Sequence, residues 1–187
     1  MKKILAILAL AISGSVFAGS VSFEGQDVNG QGSADQKNFN VTARGSINQN
    51  FTAHTQVSTS QTDGTNAVST RLEVGVTGQV SLVGPVSGYT TVAVGEKYSS
   101  AGAGHFAYYS VEPGVTAPIG NTGLTAKVGY RFRTAMENTN VNNDTTQTLR
   151  AGLSYALTKQ DAVGVRYDQV RGDVKQNIVA VNYTRSF

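Results

Sequence analysis

The stretch LTAKVGYRFRTAM, residues 124–136, decides the fold class. Every second residue up to Phe132 is apolar or aromatic, whereas Lys127, Arg131 and Arg133 occupy positions between them. Successive side chains of a β-strand point to opposite faces of its sheet, so this alternation predicts a strand with one apolar and one polar face. A register shifted by one residue would exchange the two faces and place charges among apolar side chains.

The same period of two recurs along the chain and predicts an all-β fold. No convincing helical period appears after Gly19. Clear alternating runs cover 68–82, 124–136, 145–158, 162–171 and 174–187, and weaker runs cover 19–26, 37–48, 50–61, 88–99 and 105–117. Together they predict about ten antiparallel strands, with eight or twelve as the alternatives.

The breaks between the predicted strands alternate in character. Compact turn sequences stand at 48–50, 84–88, 118–123 and 159–161. The intervening breaks are longer or rich in Asn, Asp, Gly and Ser, and they cover 27–36, 62–66, 99–104, 137–144 and 172–173. Short periplasmic turns and longer external loops are typical of outer-membrane barrels. Residues 19–187 are therefore predicted to form a single domain with both of its ends in the periplasm.

The N-terminal sequence MKKILAILALAISGSVFA, residues 1–18, has the organisation of a cleaved secretory signal peptide. Two lysines precede a short apolar run, and Val16 and Ala18 are the small residues expected before cleavage at Gly19. Cleavage lowers the net charge from +3 to about +1, so no nucleic-acid partner is expected. Cysteine is absent, which excludes disulfides and thiolate zinc sites.

Alternation alone also suits a soluble β-sandwich, and the C-terminus favours a membrane protein instead. The chain ends at Phe187, with Tyr183, Val181 and Val179 at alternate earlier positions, although Arg185 interrupts the apolar series. This pattern resembles the C-terminal assembly signal of outer-membrane barrels, with Tyr183 and Phe187 as its aromatic residues. A strand ladder in lipid must close, because unpaired backbone groups are costly in hydrocarbon.

The whole chain resembles the small, porin-like outer-membrane barrels of Gram-negative bacteria. The resemblance implies a closed, antiparallel, up-and-down transmembrane β-barrel in the outer membrane. It also implies contact with outer-membrane lipid and lipopolysaccharide, and insertion by the barrel-assembly machinery.

If the apolar faces meet lipid, the charged side chains point into the lumen. The candidates for lining the lumen and binding solute are Arg44, Arg71, Lys127, Arg131, Arg133, Arg150 and Arg166, with Lys97 also directed inward. The inward acids are Glu73, Glu112 and Asp168, together with Glu24. Rings of basic residues in an open pore favour anions, so we expect a passive channel for small, preferably anionic solutes.

The alternative is a closed structural or surface-interaction barrel of the adhesin or receptor type. Side chains fill the interior of the narrowest barrels. Glu112 beside Lys127 or Arg131, and Asp168 beside Arg150 or Arg166, would then pair within the lumen. The basic wall is similar in outline to the oligogalacturonate-type small monomeric porins, which implies acidic solutes without identifying a sugar.

The sequence contains no recognisable catalytic or metal motif. Neither His54 nor His105 has a carboxylate and a nucleophile at a telling spacing. Residues 138–144 cluster oxygen donors, but their spacing does not match an EF-hand loop. We therefore expect no enzyme activity, no metal site and no cofactor.

Overall fold

The computed structural model describes residues 19–31, 34–99, 105–136 and 145–187. The described residues form ten strands, which are β1 (Gly19–Gly30), β2 (Gln36–Ser46), β3 (Phe51–Thr62), β4 (Val68–Val83), β5 (Val86–Ser99), β6 (His105–Pro118), β7 (Leu124–Ala135), β8 (Thr146–Ala156), β9 (Asp161–Gly172) and β10 (Gln176–Ser186). Among them is no helix long and apolar enough to cross a membrane. The predicted signal peptide and the oxygen-rich segment 138–144 lie outside the described residues.

Each strand pairs in antiparallel fashion with its neighbours in sequence, and β1 pairs with β10 to close the barrel. The closing ladder runs from Ser20 opposite Ser186 to Gly30 opposite Gln176. At its end the backbone N–H of Phe187 donates to the carbonyl of Gly19 at 2.9 Å. Closure pairs the backbone groups that an open edge would expose. The predicted closed, up-and-down barrel of ten strands is confirmed.

The distribution of side chains is the reverse of that in a soluble protein. Large apolar residues on the outer face are exposed, as shown by Val181 at 60% and Val74 at 52%. Charged residues on the inner face are buried, among them Asp168 at 1% and Glu73 at 7%. The exposed outer surface is thus an apolar belt suited to lipid, and the predicted assignment of faces holds in these strands.

Most strand boundaries differ from the sequence prediction by one or two residues, and the end of β1 differs by four. β5 begins at Val86, because Gly84 with a positive φ of 56° and Pro85 complete the turn with two residues. β1 continues to Gly30, because its backbone ladder with β10 extends past the last alternating residue. The four short turns lie at the same end of the barrel as Gly19 and Phe187, which we call the turn end; the opposite end is the loop end.

Candidate functional site in the barrel interior

In the described part of the barrel, two partly open cavities lie one above the other in the interior. The cavity toward the loop end has a volume of about 280 Å³, and the cavity toward the turn end has a volume of about 250 Å³. Both cavities share a set of lining residues, which we call the neck: Glu24, Arg44, Gln56, Glu112, Lys127, Arg150 and Arg166. A solute that moves between the cavities must pass these side chains.

Every charged residue assigned to the lumen from the sequence lines the interior. The basic lining residues are Arg44, Arg71, Lys97, Lys127, Arg131, Arg133, Arg150 and Arg166, and the acidic ones are Glu24, Glu73, Glu112 and Asp168. The two faces of a strand are fixed by parity, which explains why the sequence located these side chains. Their binding of solute stays a prediction.

A chain of ion pairs runs through the neck from Glu112 on β6 to Glu24 on β1. Arg150 on β8 donates to Glu112 on β6 at 2.7 Å, and its Nε atom lies 3.5 Å from Asp168 on β9. Arg166, also on β9, donates to Asp168 at 2.9 Å and to Glu24 on β1 at 2.7 Å. The expected pairing of Asp168 is observed with both arginines. Glu112 pairs with Arg150, two strands away, rather than with Lys127 or Arg131 on the adjacent strand.

The absence of a side chain at Gly129 explains the unexpected partner of Glu112. Gly129 on β7 lies opposite Arg150 in the strand ladder. A Cβ atom at this glycine would stand 3.2 Å from Glu112 Oε1 and would also overlap the hydroxyl of Tyr89. The bare backbone therefore lets Glu112 and Arg150 meet across β7.

A second cluster surrounds Glu73 on β4. Its carboxylate forms an ion pair with Arg131 on β7. It also accepts a hydrogen bond from the Tyr108 hydroxyl at 2.9 Å and lies 3.5 Å from His54 Nε2. Arg131 also donates to Ser110 Oγ at 3.1 Å. A buried carboxylate needs such partners, because desolvation penalises an isolated charge. His54 is thus a neighbour of an ion pair, and the described residues contain no group of three or more potential metal ligands.

Sequence reasoning missed two inward tyrosines that cover basic side chains. The guanidinium groups of Arg71 and Arg133 lie 5.6 Å and 5.4 Å from the centroid of the Tyr108 ring. The Tyr89 ring lies 4.1 Å from Lys127 Nζ, and its hydroxyl donates to Glu112 at 3.1 Å. These contacts are cation–π geometry. In the ladder between β5 and β6, Tyr108 lies opposite Gly95 and Tyr89 lies opposite Gly114. This pairing of a large with a small residue was the available sequence signal for the two inward tyrosines.

Arg44 and Lys127 have a different environment from the paired arginines of the neck. Both side chains are exposed to the interior space. The ion pairs found within the described ranges, 19–31, 34–99, 105–136 and 145–187, include neither residue. Arg44 stands on β2 and Lys127 on β7, with four strands between them in either direction around the barrel. The two cations therefore face the interior from opposite walls.

Comparison with known proteins gives a family and a set of similar folds. A family model described as Gram-negative porin matches residues 9–175. The barrel is similar to the NanC porin, with a TM-score of 0.56 and 12% identity over 89% of this chain and 100% of that chain. It is also similar to an outer membrane channel from Pseudomonas putida F1, with a TM-score of 0.56 and 8% identity over 91% and 96% of the two chains.

A third similar structure is the beta domain of the Bordetella autotransporter Brka, with a TM-score of 0.54 and 12% identity over 91% of this chain and 99% of that chain. At such identities the structural similarity concerns the fold alone. No curated protein matches the sequence.

Proposed function

The chain belongs to the Gram-negative porin family, and on this premise we propose that it is a passive channel that prefers small anionic solutes. Family membership establishes a porin-like barrel in the outer membrane. The preference for anions is the proposed part. It implies neither a particular sugar nor a particular metabolite.

The excess of basic side chains among the lining residues carries the proposal. Eight basic and four acidic side chains line the loop-end cavity and the neck. A narrow space with low-dielectric walls concentrates the field of its fixed charges, so a net positive wall raises the local concentration of anions. The sum of the charges sets the mean potential of the passage, and the arrangement of the ion pairs sets where along it that potential is strongest.

The sizes of the two cavities favour small solutes over large ones. Their volumes of about 280 and 250 Å³ are close to those of small ligand pockets. The ion-paired residues Arg131, Arg150 and Arg166 are tied to the wall, so the interior shape is held by charged contacts as well as by the backbone.

Reversal potentials in planar bilayers test the proposed selectivity. Refolded protein in a potassium chloride gradient is expected to pass chloride in preference to potassium. Replacement of two basic lining residues, Arg71→Gln with Lys97→Gln, should lower the permeability ratio about twofold, because the local field weakens. Lys37→Gln, which removes one charge outside the lumen, is the control, since Lys37 is exposed at an outward position of β2.

Two results would contradict the proposal. One is a wild-type channel that passes potassium as readily as chloride. The other is an equal shift per removed charge in the lumen variant and in Lys37→Gln, which would assign the selectivity to total charge. Heat-dependent gel mobility establishes that each variant forms the closed barrel.

A closed structural barrel is the second candidate, and the chain of ion pairs from Glu112 to Glu24 favours it. Paired charges that bridge the interior can hold a lumen shut as well as shape it. Liposome swelling separates the candidates. Vesicles containing the protein are expected to swell in small organic anions under the channel proposal and to remain unchanged under the closed-barrel alternative.

A further inference from the structure

We propose that Arg44 and Lys127 form a binding site for one small oxyanion group, a carboxylate or a phosphate, at the neck. The inference rests on the proposed channel function and deepens it. It states where in the interior the anion is recognised and which anion chemistry is favoured.

The position of the two residues is the first step. Both line the loop-end and the turn-end cavity, so an anion that moves between the cavities meets them. They project from β2 and β7, which are opposite walls of the ten-stranded barrel. A carboxylate or phosphate group at the neck can therefore be contacted by Arg44 from one side and by Lys127 from the other.

The charge state of the neck is the second step. Its other two basic residues, Arg150 and Arg166, are held by carboxylates at 2.7 Å. Within the part of the chain that the structure describes, no ion pair engages Arg44 or Lys127, and both are exposed to the interior. Two like charges that face the same narrow space without an ion-pair partner repel one another. An anion between them relieves that repulsion and gains attraction from both.

The support under Lys127 is the third step. Its ammonium group lies 4.1 Å from the centroid of the Tyr89 ring, which attracts a cation without cancelling its charge. Tyr89 is itself fixed by a hydrogen bond to Glu112 at 3.1 Å and by close packing over Gly129. A binding group held by its neighbours loses less conformational freedom when the ligand arrives.

The chemistry of the donors is the fourth step. The Arg44 guanidinium is a planar fork whose N–H groups match the paired oxygens of a carboxylate or a phosphate. Lys127 adds a compact positive charge with three donors. Gln56 also lines the neck, and its amide nitrogen, which donates one hydrogen bond to Ser58 Oγ at 2.8 Å, has a second N–H for a ligand. This donor set favours oxyanions over halides, which accept hydrogen bonds without the matching geometry.

Competition in planar bilayers tests the site with inorganic phosphate and acetate as separate probes. Each is added to a channel that conducts chloride, and at least one should reduce the chloride current along a saturating curve. The double variant Arg44→Gln with Lys127→Gln should raise the half-saturating concentration at least tenfold, about what the loss of charged hydrogen bonds implies. Arg44→Lys with Lys127→Arg keeps both charges and should restore part of the affinity.

The matched control removes two charges from the loop-end cavity instead. Arg71→Gln with Lys97→Gln should weaken chloride selectivity yet keep the half-saturating concentration of phosphate or acetate. If the two double variants weaken phosphate and acetate inhibition equally, or if neither anion saturates in the wild type, the neck has no discrete site and this inference is wrong. Anion selectivity would survive that result.

A second readout keeps the two proposals distinguishable. Phosphorus NMR of phosphate with the folded, detergent-solubilised barrel measures binding without conduction. Broadening that saturates in the wild type and is lost in the Arg44→Gln, Lys127→Gln variant supports the site even if the wild-type bilayers show no anion preference. Absence of broadening in the wild type overturns the phosphate site, and acetate competition then decides the carboxylate site.

Discussion

At the scale of single residues, the interior charges act in two ways. Glu73 is almost fully enclosed, and its partners Arg131, Tyr108 and His54 come from three other strands. Its carboxylate therefore ties β3, β6 and β7 to β4. Arg44, by contrast, reaches into the interior space and has no such partner among the described residues. A buried, paired charge mainly supports the wall, whereas an exposed one is available to solutes.

Glu73→Gln is expected to destabilise the barrel, because the substitution leaves Arg131 enclosed without its counter-charge. The free energy of unfolding should fall by roughly 3 kcal/mol, the scale seen when one partner of a buried ion pair is removed. Urea titration in lipid vesicles, followed by tyrosine fluorescence, measures the change. Asp27→Asn is the matched control at an exposed outward position of β1 and should change stability by less than about 0.5 kcal/mol. Equal losses in both variants would refute the structural role of Glu73.

Gly129→Ala is expected to disturb the neck through Tyr89. The added methyl group overlaps the Tyr89 hydroxyl and closely approaches Glu112, so the ring must move and its hydrogen bond weakens. Overpacking of this kind costs about 1–3 kcal/mol, measurable by the same urea titration. Gly25→Ala is the control, because a Cβ atom there has no heavy atom within 4 Å. If Gly129→Ala is as stable as Gly25→Ala, the tight packing of Tyr89 is not required.

At the scale of elements, the closing pair β1 and β10 shows how an interrupted pattern is accommodated. Arg185 breaks the apolar series of β10, but its guanidinium lies 3.3 Å from Asp161 at the start of β9. Tyr183 also donates to Asp161, at 2.6 Å. The charge therefore sits in a polar cluster at the turn end. Phe187 is 67% exposed, and its backbone N–H donates to Gly19.

Phe187→Ser separates a role in assembly from a role in stability. The exposed ring buries little surface within the barrel, so refolding into lipid vesicles should proceed as in the wild type. If Phe187 and Tyr183 belong to the assembly signal, the amount of folded protein in the outer membrane of cells should fall several-fold. Heat-dependent gel mobility of outer-membrane fractions measures this amount of folded protein. Normal cellular assembly of Phe187→Ser would remove the assembly role.

The sequence was sufficient to predict the strands and their faces, because a period of two carries both. It also predicted that Asp168 pairs with Arg150 or Arg166, but it did not supply the partner of Glu112. Glu112 meets Arg150 across β7 because Gly129 leaves the space open, and that contact depends on three strands at once. The neck was likewise beyond sequence reasoning, since Arg44 and Lys127 are far apart in the chain and line the same interior space only because the barrel closes.

At the scale of the whole molecule, the charges are distributed unevenly along the barrel axis. Beyond the neck, the loop-end cavity has four basic and two acidic side chains: Arg71, Lys97, Arg131, Arg133, Glu73 and Asp168. Beyond the neck, the described lining of the turn-end cavity is uncharged, and much of it consists of the hydroxyl groups of Ser22, Thr42, Thr125, Ser154 and Thr184. A positive half thus lies in series with a neutral half.

Such an arrangement has the layout of an ionic diode. A voltage that drives anions from the positive half into the neutral half fills the passage with carriers, whereas the opposite polarity depletes it. Current in symmetric salt should therefore differ between equal positive and negative voltages, and single-channel recordings would show the rectification. Removing Arg71 and Lys97 should make the current–voltage curve more symmetrical. In the wild type, the polarity that gives the larger current would also reveal whether a molecule has inserted with its loop end or its turn end toward a given side of the bilayer.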